Sequence, residues 1–127
     1  MNNRITSTTR RTGQLGVLLL AAATPGVTQT SNKYTWDNAL LACAAYSQAG
    51  TSAGQWRLPT IKELGLIYSK KSQLTGVGSF TTSNGYWSVT EYSSYSSYAW
   101  NVNFDAGYTY YIGKSNDKNY VRCVRDI

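Results

Sequence analysis

The segment Tyr86–Arg125, YWSVTEYSSYSSYAWNVNFDAGYTYYIGKSNDKNYVRCVR, constrains the fold most. Eight of the chain's eleven tyrosines lie in it, mixed with Ser, Asn, Asp and Gly. Trp87, Trp100, Val102, Phe104, Val121 and Cys123 stand among them at strand spacing. Side chains along a strand alternate between faces. Trp100, Val102 and Phe104 are therefore expected on a core face, and Asn101, Asn103 and Asp105 on a solvent face. The outward set has a composition that binding surfaces favour. Tyr offers wide amphipathic contact with few rotors to freeze, and Ser, Gly and Asn adapt their hydrogen bonds. The same residues also suit strands and turns on their own account, so composition alone leaves both readings open.

The 127 residues suit one domain with a real core. The chain divides into a polar, basic stretch, residues 1–14, and a single domain, residues 15–127. The formal net charge of +6 is diffuse, with Arg4, Arg10 and Arg11 supplying half of it, whereas a nucleic-acid binder would concentrate its cations on one element. There is no histidine, the commonest general base and metal ligand. Two cysteines are too few for a structural zinc site. No apolar run approaches the roughly 20 residues that span a bilayer. The short run LGVLLLAAA behind the basic leader imitates a secretion signal, with Ala21–Ala23 at the cleavage position. Its ending at Pro25-Gly26 also suits a buried strand, the reading preferred here.

Two helices are expected. Thr35 reads as an N-cap with Asp37 in the first turn. Trp36, Ala39, Leu40, Cys43 and Ala44 share one face, and Gly50 is a stop. Further on, Pro59 ends an extended piece, and Thr60 with Glu63 forms a capping box. Ile61, Leu64 and Ile67 or Tyr68 make the buried stripe, with Lys70 and Lys71 at the negative end of the dipole. Residues 73–85 read as loop, and Asp105-Ala106-Gly107 as a hairpin turn. Trp36, Leu40, Leu58, Leu64, Trp87, Trp100, Val102 and Phe104 should be buried together. Cys43 and Cys123 should both point inward. Joined, they close a loop of about 80 residues, worth roughly 4–5 kcal/mol in the chain-entropy account. In a reducing compartment they would be two buried thiols.

The segments TWDNALLAC, WRLPTIKEL, YWSVTEY, AWNVNF with Gly107, and YVRCVR together resemble a bacterial surface domain family found at the C-termini of collagen-like adhesins. That family is related to the formylglycine-generating-enzyme branch of C-type-lectin-like folds. The resemblance covers roughly residues 15–126. It implies an α+β, C-type-lectin-like fold, with two helices packed on short antiparallel sheets and the cysteines as a structural pair. Within the family, the C-terminal pattern is similar to the variable proteins of diversity-generating retroelements. Their adenine-directed mutagenesis scatters asparagine-type codons over Asn, Tyr, Ser, Asp, Thr, Ala, Gly and Ile. Asn101, Asn103, Asp105, Ala106, Tyr108, Tyr110, Tyr111, Ile112, Asn116, Asp117 and Asn119 are of such types. Trp87, Glu91, Trp100, Lys114 and Lys118 are not. The cysteine chemistry and metal ligands of the formylglycine-generating enzymes have no counterpart here.

The resulting expectation is a binding module presenting a hypervariable surface to a protein or glycan receptor on another cell or particle, displayed extracellularly or on a virus particle. Its residues would be Asn101, Asn103, Asp105, Tyr108, Tyr110, Tyr111, Asn116, Asp117 and Asn119 in one exposed patch, with Tyr95 and Tyr98 at the margin. The alternative is a non-variable secreted adhesin domain. Calcium needs about six to eight oxygen ligands, and no carboxylates cluster for it, so neither metal nor cofactor is expected. No acid–base pair or activated nucleophile emerges. Glu63 is a cap, and Glu91, beside Trp87 and Thr90, would be a buried hydrogen-bonding group. Single-strand nucleic-acid stacking is disfavoured, because Tyr86–Tyr120 carries Lys114 and Lys118 against Glu91, Asp105 and Asp117.

Overall fold

A central three-stranded antiparallel sheet with one helix against each face carries the molecule. In the computed structural model the described residues are 14–15 and 18–20 as backbone, then 33–47, 50–74, 80–81 and 84–126. The basic leader, Ala21–Ala23, Pro25-Gly26 and much of the expected 73–85 loop lie outside them.

Strands β1 (Gln14–Leu15) and β2 (Leu18–Leu20) pair antiparallel, and β2 pairs with the last strand, β6 (Val124–Asp126). The apolar run thus contributes strand, as its length suggested. Helix α1 covers Trp36–Ala45. Thr35 precedes it in an extended conformation but makes no side-chain capping bond. The helix stops at Tyr46, not Gly50, and Ala44 is exposed. Trp36, Ala39 and Cys43 form the buried face, with Leu40 packed at its edge.

Helix α2 (Ile61–Lys70) starts as its sequence dictates. Glu63 N–H donates to Thr60 Oγ1 at 3.1 Å, and Glu63 Oε1 accepts from Thr60 N–H at 2.9 Å, completing the capping box. Leu64 and Ile67 are buried, with Ile61 and Tyr68 packed around them. A short 3-10 turn, Lys71–Gln73, follows.

The central sheet has the order β3 (Gly85–Glu91), β4 (Tyr98–Asn103), β5 (Thr109–Gly113). Its β3–β4 register shifts between Trp87 and Glu91. There Val89 N–H reaches the Pro59 carbonyl at 2.8 Å, and the Thr90 hydroxyl accepts from Ile61 N–H at 2.9 Å. The irregularity hence ties β3 to the start of α2. The β4–β5 turn is built around Gly107, whose φ of +85° suits glycine. Asp105 N–H donates to Asn103 Oδ1 at 2.7 Å inside that turn.

Two core clusters flank the sheet. One joins Leu64 and Ile67 of α2 to Tyr86, Val102, Phe104, Tyr120 and Val124. The other joins Trp36, Ala39 and Cys43 of α1 to Trp56, Leu58, Trp87, Ala99, Val121 and Cys123. Cys43 and Cys123 are disulfide-bonded, with Cα atoms 5.5 Å apart, which decides between bridge and free thiols. The buried indoles find acceptors, Trp36 at the Ser88 carbonyl (2.9 Å) and Trp87 at the Tyr34 carbonyl (2.7 Å).

Trp100 departs from expectation. It shares a face of β4 with Val102, but α2 covers that face only at the Val102 end, leaving Trp100 partly exposed. Glu91 departs too: its carboxylate is more than half exposed and pairs with Lys114 instead of being buried.

Candidate functional site

The β4–β5 register decides where each tyrosine side chain projects. Trp100 pairs with Tyr111, Asn101 with Tyr110, and Tyr98 with Gly113. Tyr98, Trp100 and Tyr111 therefore share one face, and Asn101, Asn103 and Tyr110 the other. The residues expected in a single patch are split by strand parity.

On the first face the aromatic rings aggregate. The loop from β3 to β4 turns back on itself, with Tyr92 N–H bonded to the Tyr98 carbonyl at 3.0 Å. This brings Tyr92 onto Tyr111, ring centroids 3.9 Å apart and nearly parallel. Tyr98 stacks on Tyr111 at 5.7 Å, and Tyr95 lies 6.2 Å from Tyr92 and 6.0 Å from Tyr98. Trp100 meets Tyr92 and Tyr111 edge to face, at 5.5 and 5.4 Å. The rings hold one another in place while staying open to solvent: Tyr95 is 64% exposed and Tyr111 41%. The Tyr111 hydroxyl is raised above the usual phenol range, first by its hydrogen bond with Tyr92 and then by repulsion between the two phenolates.

On the second face Asn103 Nδ2 donates to the Tyr110 hydroxyl at 3.0 Å, and both side chains remain accessible. Tyr108, 65% exposed, stands just before β5. Asp105 is exposed in the turn, and Asn116 and Asp117 in the turn that follows β5. Asp117 accepts from Gly113 N–H at 3.2 Å, fixing that turn to the strand end.

Asn101 and Asn119 correct the expectation. Both are buried, at 1% and 4% exposure, and Asn101 Nδ2 donates to Asn119 Oδ1 at 3.2 Å. The second face of β4 packs toward the α1 cluster, so the outward phase assigned to Asn101 leads into protein. Asn119 is held by reciprocal backbone bonds with Tyr34, at 2.8 and 3.0 Å. Gly85 packs on the pair so closely that a Cβ there would lie 2.5 Å from Asn101 Nδ2.

Sequence reasoning passed over Tyr92 and assigned Trp100 to the core. The signal for both was present in the spacing Tyr92, Tyr95, Tyr98, Trp100, which places an aromatic group at every turn of the loop and then on alternate strand residues.

Among the described residues no group of three or more His, Cys, Asp or Glu side chains is placed to hold a metal ion, and no helix is long and apolar enough to cross a membrane. The arrangement offers aromatic faces, amides and hydroxyls on a rigid sheet, which is the equipment of recognition. No curated protein matches the chain. The family model of the Lcl C-terminal domain does, over residues 8–125, and the chain belongs to that family of C-type-lectin-like domains.

Proposed function

We propose that this domain is a non-enzymatic binding module, whose tyrosine-rich surface on β4, β5 and the Tyr92–Ser97 loop engages a protein or glycan receptor on another cell or particle. The observation that carries this reading is the exposed cluster of Tyr92, Tyr95, Tyr98 and Tyr111 around Trp100. Large apolar rings left in solvent are unusual unless something covers them. Here they sit on a sheet cross-braced by a disulfide and two buried tryptophans. The setting would be an extracellular surface or a virus particle.

A finer reading follows from residue types. Asn103, Asp105, Tyr108, Tyr110, Tyr111, Asn116 and Asp117 are products of mutated asparagine codons and project where changes carry little packing. Diversification by a retroelement would act on these positions, and Asn101 and Asn119 would lie outside the tolerant set. An adenine-substituted near-copy of the 3′ coding region beside a reverse-transcriptase gene is the expected finding. Its absence would leave the other reading, a non-variable adhesin domain with the same surface.

The functional test replaces Tyr95, Tyr98, Tyr108 and Tyr111 together with Ser. Wild type and variant are then compared on protein arrays, glycan arrays and intact cells. The expected result is a melting temperature within a few degrees of wild type and loss of every specific signal. Equal binding by both proteins would dismiss the reading.

A further inference from the structure

The split of the tyrosines across two faces raises the question of how one ligand could touch both. Tyr110 and Tyr111 are neighbours on β5 but project to opposite sides of the sheet. β5 is the outer strand of the order β3-β4-β5. A ligand that contacts both residues must therefore pass around that outer edge.

The edge itself is equipped to receive one. Asn103 N–H bonds to the Tyr108 carbonyl at 2.8 Å, and Lys114 N–H to the Ser97 carbonyl at 2.9 Å. These two bonds set the alternation of the antiparallel ladder, so residues 108, 110, 112 and 114 direct their backbone groups inward to β4. Thr109, Tyr111 and Gly113 then direct theirs outward. Gly113 N–H is taken by Asp117. The N–H and C=O of Thr109 and Tyr111, and the C=O of Gly113, face away from the sheet with no strand beside them among the described residues.

Natural sheets usually block such an edge with lysine, proline or a bulge. β5, TYYIG, has no charged residue and no proline, and it pairs with β4 in unbroken register. Lys114, the nearest cation, is turned away, lying 4.1 Å over the Trp36 ring and paired with Glu91. From Tyr92 to Gly113 the one side chain charged at neutral pH is Asp105. That leaves no cation to hold the sulfate or carboxylate of an anionic glycan, or a phosphate backbone.

Resting on the binding-module reading above, we infer that β5 receives an extended segment of a protein partner as an added strand. Main-chain hydrogen bonds from Thr109, Tyr111 and Gly113 hold the segment. Tyr111 with the Tyr92–Tyr98 cluster reads its side chains on one face, and Tyr110 with Asn103 reads them on the other. Strand addition separates the two tasks in this way, affinity residing in backbone and specificity in alternate side chains. A surface whose side chains change between relatives keeps its anchor, because substitution leaves the peptide N–H and C=O in place.

The experiment uses the intact oxidised chain as bait for a random-peptide library displayed on phage, with a glycan array in parallel. Hydrogen exchange of individual amides is then measured with and without a selected peptide. Thr109→Pro removes one outward N–H without touching the β4 ladder. The tyrosine-to-serine variant serves as the second arm. The expected result is selected peptides whose binding slows exchange at Thr109 and Tyr111 at least tenfold, and which Thr109→Pro weakens by up to about tenfold, the worth of one hydrogen bond. Peptides that lose binding in the tyrosine variant yet leave both amides exchanging freely would overturn the added strand and keep the binding surface. Protection that survives loss of the tyrosines would do the reverse. No selected peptide, or glycan binding alone, would overturn the inference, and exchange on the wild type keeps the result readable even if Thr109→Pro fails to fold.

Discussion

Asn101 and Asn119 hydrogen-bond to each other at 3.2 Å beneath the surface they had seemed, from residue type, to belong to. Their remaining amide atoms, Asn101 Oδ1 and Asn119 Nδ2, have no hydrogen-bond partner among the described residues. The pair joins β4 to the segment entering β6, with Gly85 of β3 pressed against it.

Asn119→Ala removes the acceptor for a buried amide and is expected to cost about 1–3 kcal/mol. Asn101→Tyr must place a large ring in the space that Gly85 leaves, and should cost at least as much. Tyr108→Ser, at an exposed position, should stay within about 0.5 kcal/mol. Urea midpoints of the three variants measure the contrast. Comparable midpoints for Asn101→Tyr and Tyr108→Ser would mean that Asn101 is not locked in place.

Gly107 has φ of +85°, and a Cβ there would lie 2.6 Å from Cε2 of Tyr68. Gly107→Ala meets both backbone strain and the ring, and is expected to destabilise by about 1–3 kcal/mol. Gly50, also at positive φ but with open space around it, should lose only the conformational part. Thermal denaturation of Gly107→Ala and Gly50→Ala side by side tests the difference.

Arg57 binds Glu63 through two nitrogens, at 2.8 and 3.0 Å, and Asp126 at 2.9 Å. Its side-chain hydrogen bonds are the main reason that both carboxylates are held below their ordinary ranges. Groups with lowered folded-state pKa contribute stability above their unfolded values, about 4.3 for Glu and 3.9 for Asp. That contribution disappears as pH falls through the lower folded-state values. Wild type should thus lose melting temperature below about pH 4 more steeply than Arg57→Met, with the two curves converging in acid. Parallel curves would show that the ion pairs contribute nothing net, as exposed pairs often do.

Reduction of the Cys43–Cys123 bridge, or Cys43→Ala with Cys123→Ala, is expected to cost about 2–5 kcal/mol. Both residues are fully buried, so part of the loss in the double variant is packing. Comparing urea midpoints of the reduced wild type with the double variant separates loop entropy from packing.

The features legible in the sequence were those with local causes. The Thr60–Glu63 box, the i, i+3, i+4 face bearing Cys43, and the glycine at 107 each follow from a few adjacent residues. Strand phase was legible as well, since Trp100 and Val102 do share a face. What alternation cannot say is which face is covered. β4 is the middle strand, with a helix-bearing core on either side, so Asn101 and Val102 are both buried. Coverage also ends partway along the strand, because α2 reaches Val102 and leaves Trp100 to the tyrosines. That boundary is set by the placement of α2, through Val89 to Pro59 and Thr90 to Ile61, which no periodicity in β4 encodes. Asn119 enters the interior through its backbone pairing with Tyr34, residues far apart in sequence.

The bridge between Cys43 and Cys123 spans 80 positions, and α2, the whole β3-β4-β5 sheet and every exposed tyrosine named above lie between its ends. A single proteolytic cut anywhere in that interval opens the polypeptide without releasing a fragment. The two pieces stay covalently joined, and each remains held by the ladders and cores it already occupies. A nick in the Tyr92–Ser97 loop would therefore show as two bands only after reduction, while the nicked domain kept its tyrosine face assembled.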